Sequence, residues 1–313
     1  MKFKKPKFWD YKSPNIISYL LLPLTFPLIL NNFFLRLKRT NITNKKIKKI
    51  CIGNIYVGGT GKTPLVMKIY QILCQLNFNT ATIKKFYKNH IDEQKILNAN
   101  TKLYCFKNRV MALNEATKDN NDIAIFDDGL QDRSINYDLK FVCFNNTNWI
   151  GNGFLIPAGP LREKIESISK YDAVFINGNE IDTSNLRLLI NKYAKNIKVF
   201  ESYYSPLNID QFDTSEKYIF FCGIGNPETF RETLLKNRFN IVKEFIFPDH
   251  HNYTQIDIDK IKLTAKNLNA KIITTEKDYV KINSNKNTDI KFLKVEFKIT
   301  NEAELIAYLK LNI

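Results

Sequence analysis

The chain predicts an α/β fold, a parallel sheet with helices on both faces, and three observations carry that expectation. Short apolar runs rich in isoleucine and valine alternate with segments of helical periodicity. The stretch from Ile47 to Leu76 reads as strand, glycine turn and helix in immediate succession. The same arrangement returns over Lys217 to Phe239, so a second, smaller α/β unit follows the first.

Size and composition agree. The 313 residues suffice for two domains of about 100–200 residues each, and 44% hydrophobic with 13% aromatic residues suits a substantial core and excludes a disordered chain. The net charge of +16 favours anionic partners, such as a nucleotide or an acidic lipid surface, although a general bias to lysine, asparagine and isoleucine supplies part of it. No basic patch is interleaved with aromatics, so nucleic acid is not expected. Five scattered cysteines without a C-x-x-C pair point to a reducing compartment and against a zinc cluster. With only three histidines, a histidine-based metal site is not expected either.

The first element is apolar. From Ile16 to Leu30 no charge occurs, but these 15 residues fall short of the roughly 20 that a spanning helix needs, and Pro23 and Pro27 interrupt them. A cleaved signal would need small residues where Asn31-Asn32-Phe33-Phe34 stands. The segment 1–40 therefore predicts a membrane-associating helix or hairpin dipping into one leaflet. Phe8, Trp9 and Tyr11 would sit at headgroup level, with Lys2, Lys4, Lys5, Lys7, Arg36, Lys38 and Arg39 facing anionic lipid. A buried helix of the core is the alternative.

The next elements follow in order. After the basic linker Lys45 to Lys49, IKKICIGNI predicts a buried strand, and KTPLVMKIYQILCQL a helix with Leu65, Ile69, Ile72 and Leu73 on one face. Pro64 falls in its first turn, where a missing N–H is harmless. Further strands are expected at 80–83, 122–128, 140–144 and 172–177. KVFESYYSP from Lys198 reads as a connecting strand. The second unit then takes KYIFFCGIGNPETFRETLLKNRF, NIVKEFIF, a helix over 257–268 and the strand AKIITTEKD.

The turn VGGTGKTP, 57–64, carries chemistry. The general phosphate-loop pattern G-x-x-x-x-G-K-[ST] has a glycine where Tyr56 stands, but the donors survive: Gly58, Gly59, Thr60 and Gly61 allow the backbone to wrap an anion at a helix N-terminus. Lys62 reaches the terminal phosphates, and the Thr63 hydroxyl can ligate Mg²⁺. Downstream the apolar strand 123–126 ends in DDGLQD, which sets Asp127 and Asp128 at the carboxyl end of the sheet, where nucleotide enzymes hold Mg²⁺.

Taken together, GNIYVGGTGKTP at 53–64, DDGLQ at 127–131, GNGFLIPAGPLRE at 151–163, GIGNPETF at 223–230, FPDHHNYT at 247–254 and TTEKDYVK at 274–281 resemble the tetraacyldisaccharide 4′-kinase, or lipid A 4′-kinase, family. That family also begins its loop with a residue other than glycine. The resemblance implies a P-loop kinase core over 41–200, a smaller C-terminal α/β lobe over 201–313 and an N-terminal helix that meets the bilayer. It implies transfer of phosphate from Mg-ATP to the 4′-hydroxyl of a tetraacylated disaccharide 1-phosphate at the cytoplasmic face of the bacterial inner membrane. No obligate protein partner follows from it.

Carried over by position, the resemblance gives Lys62 to the transferring phosphate and Thr63, Asp127, Asp128 and Glu163 to Mg²⁺. It puts Tyr87, Lys85, Gln131 and Arg162 on the substrate side and implies Asp92 as the base, paired with His250 from the other lobe. Two departures stand out: KKFYKN replaces the family's S-R-G-Y-G run, with Lys85 in place of an arginine, and Ile91 and Gln94 replace the glycine and proline flanking the base. A lysine keeps the charge but loses the bidentate fork. The competing reading is a membrane-associated regulatory P-loop ATPase of the partitioning or division-site type, whose loop K-G-G-x-G-K-T has a lysine where Val57 stands.

Overall fold

The structure, a computed structural model, describes residues 5–27, 29–30, 46–88, 90–147, 149–178, 182–282 and 287–313. The strands are Lys48–Gly53 (β1), Thr80–Lys85 (β2), Leu103–Phe106 (β3), Ile123–Asp127 (β4), Leu139–Asn145 (β5), Ala173–Asn177 (β6), Lys198–Pro206 (β7), Lys217–Cys222 (β8), Asn240–Ile246 (β9), Lys271–Thr275 (β10), Ile290–Leu293 (β11) and Val295–Ile299 (β12). They form one sheet in the order β12-β7-β6-β5-β1-β4-β2-β3 and a second in the order β11-β10-β8-β9.

In the larger sheet every pairing from β3 through to β7 is parallel. β1 lies inside it, with Ile50 opposite Ile125 on one side and Leu139 on the other. Both faces of such a strand are covered, which explains its unbroken apolar run. The helix Lys62–Gln75 buries Leu65, Val66, Ile69, Ile72 and Leu73, a stripe at helical spacing. After β4 the chain crosses β1 to β5 and continues outward to β6 and β7. The direction reverses beside β1, and the carboxyl ends there form the crevice in which open α/β sheets bind ligands.

The smaller sheet is parallel throughout. Its faces are packed by Phe220, Phe230, Leu234 and Ile273 on one side and by Ile219, Phe221, Ile258 and Ile261 on the other. The helix Gln255–Leu268 starts with a capping box between Thr254 and Asp257.

Contacts divide the described residues into two compact units: Met1–Tyr87, Leu97–Tyr203 and Ile299–Ile313 form the first, Lys88–Ile96 and Tyr204–Lys298 the second. The division differs from a single boundary near residue 201 in two places. The C-terminal helix Glu302–Asn312 belongs to the first unit, because Tyr308 packs on Phe141 and Phe200 and donates its hydroxyl to the Asp172 carbonyl at 3.0 Å. Residues 88–96 belong to the second, held there by the ion pairs of Asp92 and Glu93 with Lys277.

At the N-terminus the expected interfacial helix is short: Ile16–Leu21, capped by the Asn15 side chain and followed by the 3-10 turn Leu22–Thr25. Among the described residues no helix is long and apolar enough to cross a membrane. The alternative of a buried core helix does not hold either, because Ile16, Ile17, Tyr19, Leu20, Leu24 and Phe26 are exposed. Trp9 and Ser18 anchor the segment from beneath. Lys2, Lys4, Arg36, Lys38 and Arg39 lie outside the described residues.

Candidate active site

The glycine loop runs from the end of β1 into the helix Lys62–Gln75. Gly61 caps that helix with φ 82°, and a Cβ there would fall 2.6 Å from the Asn177 amide nitrogen, so both the turn and the close approach demand glycine. The loop is braced from inside by Asn54, whose amide donates to the Gly58 carbonyl at 3.2 Å and to Thr60 Oγ1 at 3.0 Å.

Tyr56, the residue that departs from the general pattern, points away from the loop. It is buried against Leu155 and Leu161, its hydroxyl donates to Asp10, and Lys5 lies over its ring at 4.8 Å. The 151–163 run lines up alongside: Val57 N–H donates to the Pro160 carbonyl at 2.9 Å and Arg162 N–H to the Ile55 carbonyl at 2.7 Å. The same run seats the N-terminus. Trp9 Nε1 donates to the Pro157 carbonyl at 3.0 Å, Asn152 Nδ2 donates to Ser18 Oγ at 2.9 Å, and a Cβ on Gly151 would collide with the Trp9 carbonyl. The IPAGPLRE run thus joins the phosphate loop to the apolar N-terminal segment.

The acidic pair divides its work. Asp127 is buried at the tip of β4 and accepts from Thr63 Oγ1 at 3.2 Å and from Lys84. Its other oxygen, Oδ1, is buried without a hydrogen-bond partner. Asp128 turns outward at φ 56° and meets Arg162 Nη1 at 3.0 Å and Lys62 Nζ at 4.0 Å. Burial alone would raise the Asp128 carboxyl, but Lys62, Arg162 and Lys84 hold it down at about 2. Gln131 bridges the Asn54 carbonyl at 3.1 Å and Glu163 Oε1 at 3.0 Å, and accepts from Arg162.

The residues carried over from the family therefore separate into groups. Lys62, Asp128, Arg162, Gln131 and Glu163 form one chain of contacts, and Thr63 pairs with Asp127, the sequence neighbour of Asp128. Lys85 and Tyr87 lie beside one another, with Lys85 Nζ 5.4 Å from the Tyr87 ring and Tyr87 exposed. The neighbouring Lys84 also enters by its contact with Asp127, and Arg109 joins by donating to the Asp128 carbonyl at 2.6 Å and to Asp132 at 2.9 Å. Both were missed. A lysine inside the buried strand TATIKK was the signal for the first, because such a cation needs a carboxylate.

The second unit holds the other group. His250 Nδ1 lies 3.0 Å from Asp92 Oδ1 and 3.1 Å from Oδ2. Lys281 Nζ reaches Asp92 Oδ2 at 3.3 Å and Asp278 at 2.9 Å, and Lys277 Nζ reaches Asp249 at 3.1 Å and Asp92 at 3.6 Å. Burial pushes the Asp92 carboxyl up, but the His250 hydrogen bond and the two lysines outweigh it and leave it well below the carboxylate range. The pair expected to meet across two lobes is instead contained within one compact unit. The two lysines come from TTEKDYVK, four residues apart, a spacing whose purpose the sequence did not disclose. His251 stays structural: it bonds Asp257 at 3.1 Å and stacks on Phe247.

The chain is similar to known proteins over nearly its whole length. The family model for tetraacyldisaccharide-1-P 4′-kinase matches residues 17–313. A tetraacyldisaccharide 4′-kinase of Pelagibacter ubique is 48% identical over 313 residues, covering 100% of this chain and 99% of that protein. One from Rickettsia bellii is 35% identical, covering 96% of each. The crystal structure of the "apo" form of LpxK from Aquifex aeolicus in complex with ATP shares the fold, with a TM-score of 0.71 at 20% identity over 95% of this chain and 99% of that one. A family match across nearly the whole length, joined to relatives this similar, places the chain in the tetraacyldisaccharide-1-P 4′-kinase family.

Proposed function

We propose that this chain transfers the γ-phosphoryl group of ATP to the 4′-hydroxyl of a tetraacyldisaccharide 1-phosphate, with Asp92 as the base. The observation that carries the reading is the contact of His250 Nδ1 with both oxygens of Asp92, at 3.0 and 3.1 Å. A switch ATPase that activates water has no need of a carboxylate held ionised by an imidazole and two lysines. An alcohol acceptor does, because its proton must leave as the new P–O bond forms.

In this reading the backbone N–H groups of Gly58 to Thr63 cradle the phosphates at the helix N-terminus, and Lys62 meets charge that develops on the transferring group. Asp92 accepts the hydroxyl proton, and His250 orients the carboxylate and shares that proton. The chemistry of the donor set suits Mg²⁺: a hydroxyl on Thr63, the unpartnered buried Oδ1 of Asp127, and Asp128 beside them are hard oxygen ligands. Thr63 and Asp127 would hold the ion, with Asp128 and Glu163 around them; when bound, it neutralises phosphate charge.

The exposed Ile16, Ile17, Leu20, Leu24 and Phe26 support a seat at a membrane surface, where an acylated acceptor resides. The test supplies radiolabelled ATP, Mg²⁺ and the disaccharide acceptor in detergent. Label in the lipid fraction is expected. Label only in inorganic phosphate would instead favour the regulatory ATPase.

A further inference from the structure

The carboxyl ends of β5 and β6 lie on the side of β1 away from β4. Three asparagines stand there: Asn145, Asn146 and Asn177. Asn145 Oδ1 accepts from the Thr147 N–H at 2.8 Å, and Asn146 accepts from Trp149 Nε1 at 3.2 Å and donates to the Asp182 carbonyl at 3.1 Å. Asn177 differs: it is 5% exposed, and its Oδ1 is buried without a hydrogen-bond partner. We propose that Asn177 reads the base of the nucleotide, its side-chain amide pairing with the N6/N7 edge of an adenine.

Position comes first. A Cβ on Gly61 would fall 2.6 Å from Asn177 Nδ2, so the amide packs against the residue that opens the phosphate-binding helix. A triphosphate has a direction there. Thr63 and Asp127, which would hold Mg²⁺, are on the β4 side, and such an ion bridges the β- and γ-phosphates. The nucleoside therefore leaves on the other side, over the ends of β5 and β6, where Asn177 stands. The backbone fixes it in place: the Asn177 carbonyl accepts from the Asn146 N–H at 2.9 Å, and the Gly178 N–H donates to the Ser202 carbonyl at 3.0 Å. A Cβ on Gly178 would fall 2.6 Å from that of Asn146, so the two strand ends are closely packed.

The chemistry then selects the base. A primary amide presents an N–H donor and a C=O acceptor side by side in one plane. Adenine offers the complement, N7 to accept and the N6 amino group to donate, and one asparagine meets both at once. Guanine and hypoxanthine carry an oxygen at position 6, which would face the Asn177 carbonyl oxygen and oppose two acceptors. A buried acceptor left unpaired is costly, and an N6–H supplied by the ligand recovers that cost on binding. A base without the donor recovers nothing, so the site rejects it.

The test titrates the full chain, with Mg²⁺ and without acceptor, and follows heat release. The probes are ATP, 7-deaza-ATP, which lacks the N7 acceptor, inosine triphosphate, which lacks the amino group, and tripolyphosphate, which has no base. In the wild type ATP is expected to bind about ten-fold or more tighter than inosine triphosphate, with 7-deaza-ATP between them. In Asn177→Ala the three nucleotides should converge, while tripolyphosphate binds as before. Equal wild-type affinity for ATP and inosine triphosphate, or discrimination that survives in Asn177→Ala, overturns the proposal. So does a variant that weakens all four probes alike, because that is the mark of a residue that only braces the loop. The inference rests on ATP as the phosphoryl donor and not on the acceptor. Should no label reach the lipid, the kinase reading fails while this titration still decides what Asn177 does.

Discussion

His250 Nδ1 faces both oxygens of Asp92, at 3.0 and 3.1 Å, so a single imidazole fixes the plane of the carboxylate as well as its charge. Orientation and proton sharing then reside in one residue. Asp92→Asn is expected to lower transfer to the lipid acceptor by about 10²–10⁴-fold, the usual worth of a general base. His250→Gln should cost less, and the double variant no more than Asp92→Asn alone, because the two act as a unit. Additive losses in kcat, measured by label in lipid, would separate them.

Thr63 and Asp127 make the second prediction, on metal dependence. Both offer oxygen to one point, so Thr63→Ala and Asp127→Asn should raise the Mg²⁺ concentration needed for half-maximal rate, while Asp92→Asn leaves it unchanged. A Mg²⁺ titration of the initial rate checks this. Removal of Mg²⁺ by chelation should abolish transfer in the wild type without unfolding it, since the strands beneath the site are packed by Ile50, Ile125 and Phe126.

The contact between Lys84 and Asp127 is a buried ion pair, with side chains 5% and 0% exposed. Breaking such a pair leaves an uncompensated charge in the core. Lys84→Met should therefore lower the unfolding free energy by about 3–5 kcal/mol, and adding Asp127→Asn should recover a large part of the loss. Urea denaturation of the two variants measures the difference. Equal stability of both would show that Asp127 is not held by Lys84.

How much of this was legible in the sequence depended on distance along the chain. The glycine loop lies within eight residues and follows directly from IKKICIGNI, so strand, turn and helix could all be read. Asp127 was legible because an acidic residue ends an apolar strand. Lys84 was not, because its partner is 43 residues away and only the sheet order β1-β4-β2 brings them together. Likewise β12 is a five-residue strand, VEFKI, whose place beside β7 depends on the whole course of the second unit. Tyr56 shows the opposite case: the departure was visible, but its cause, a hydroxyl held by Asp10, required the N-terminal segment in place.

Asp128 gives a pH dependence with a definite sign. Its folded value of about 2 lies below the ordinary carboxylate value of about 3.9. The ionised form is favoured by folding, so its contribution is complete above that ordinary value and disappears as pH falls towards 2. The stability difference between wild type and Asp128→Asn should therefore shrink over that interval. Chemical denaturation at several acid pH values follows it, and a difference that grows on acidification would reverse the assignment.

The last prediction concerns the N-terminal segment. Leu20 is 74% exposed and Phe26 63%, while Trp9 and Ser18 beneath them are buried and bonded to the 151–163 run. The apolar side chains thus point outward from a firm base, the arrangement an interfacial segment needs. Leu20→Asp with Phe26→Asp should reduce flotation with anionic vesicles and leave thermal stability unchanged, since neither side chain packs in the core. Trp9→Ala should do the reverse first, lowering stability by about 3–5 kcal/mol through the cavity it leaves. Transfer to a short-chain, detergent-free acceptor should survive the aspartate pair, because the phosphate loop and Asp92 are untouched. If that pair abolished phosphorylation of the short acceptor, the exposed face would belong to the chemistry rather than to the membrane.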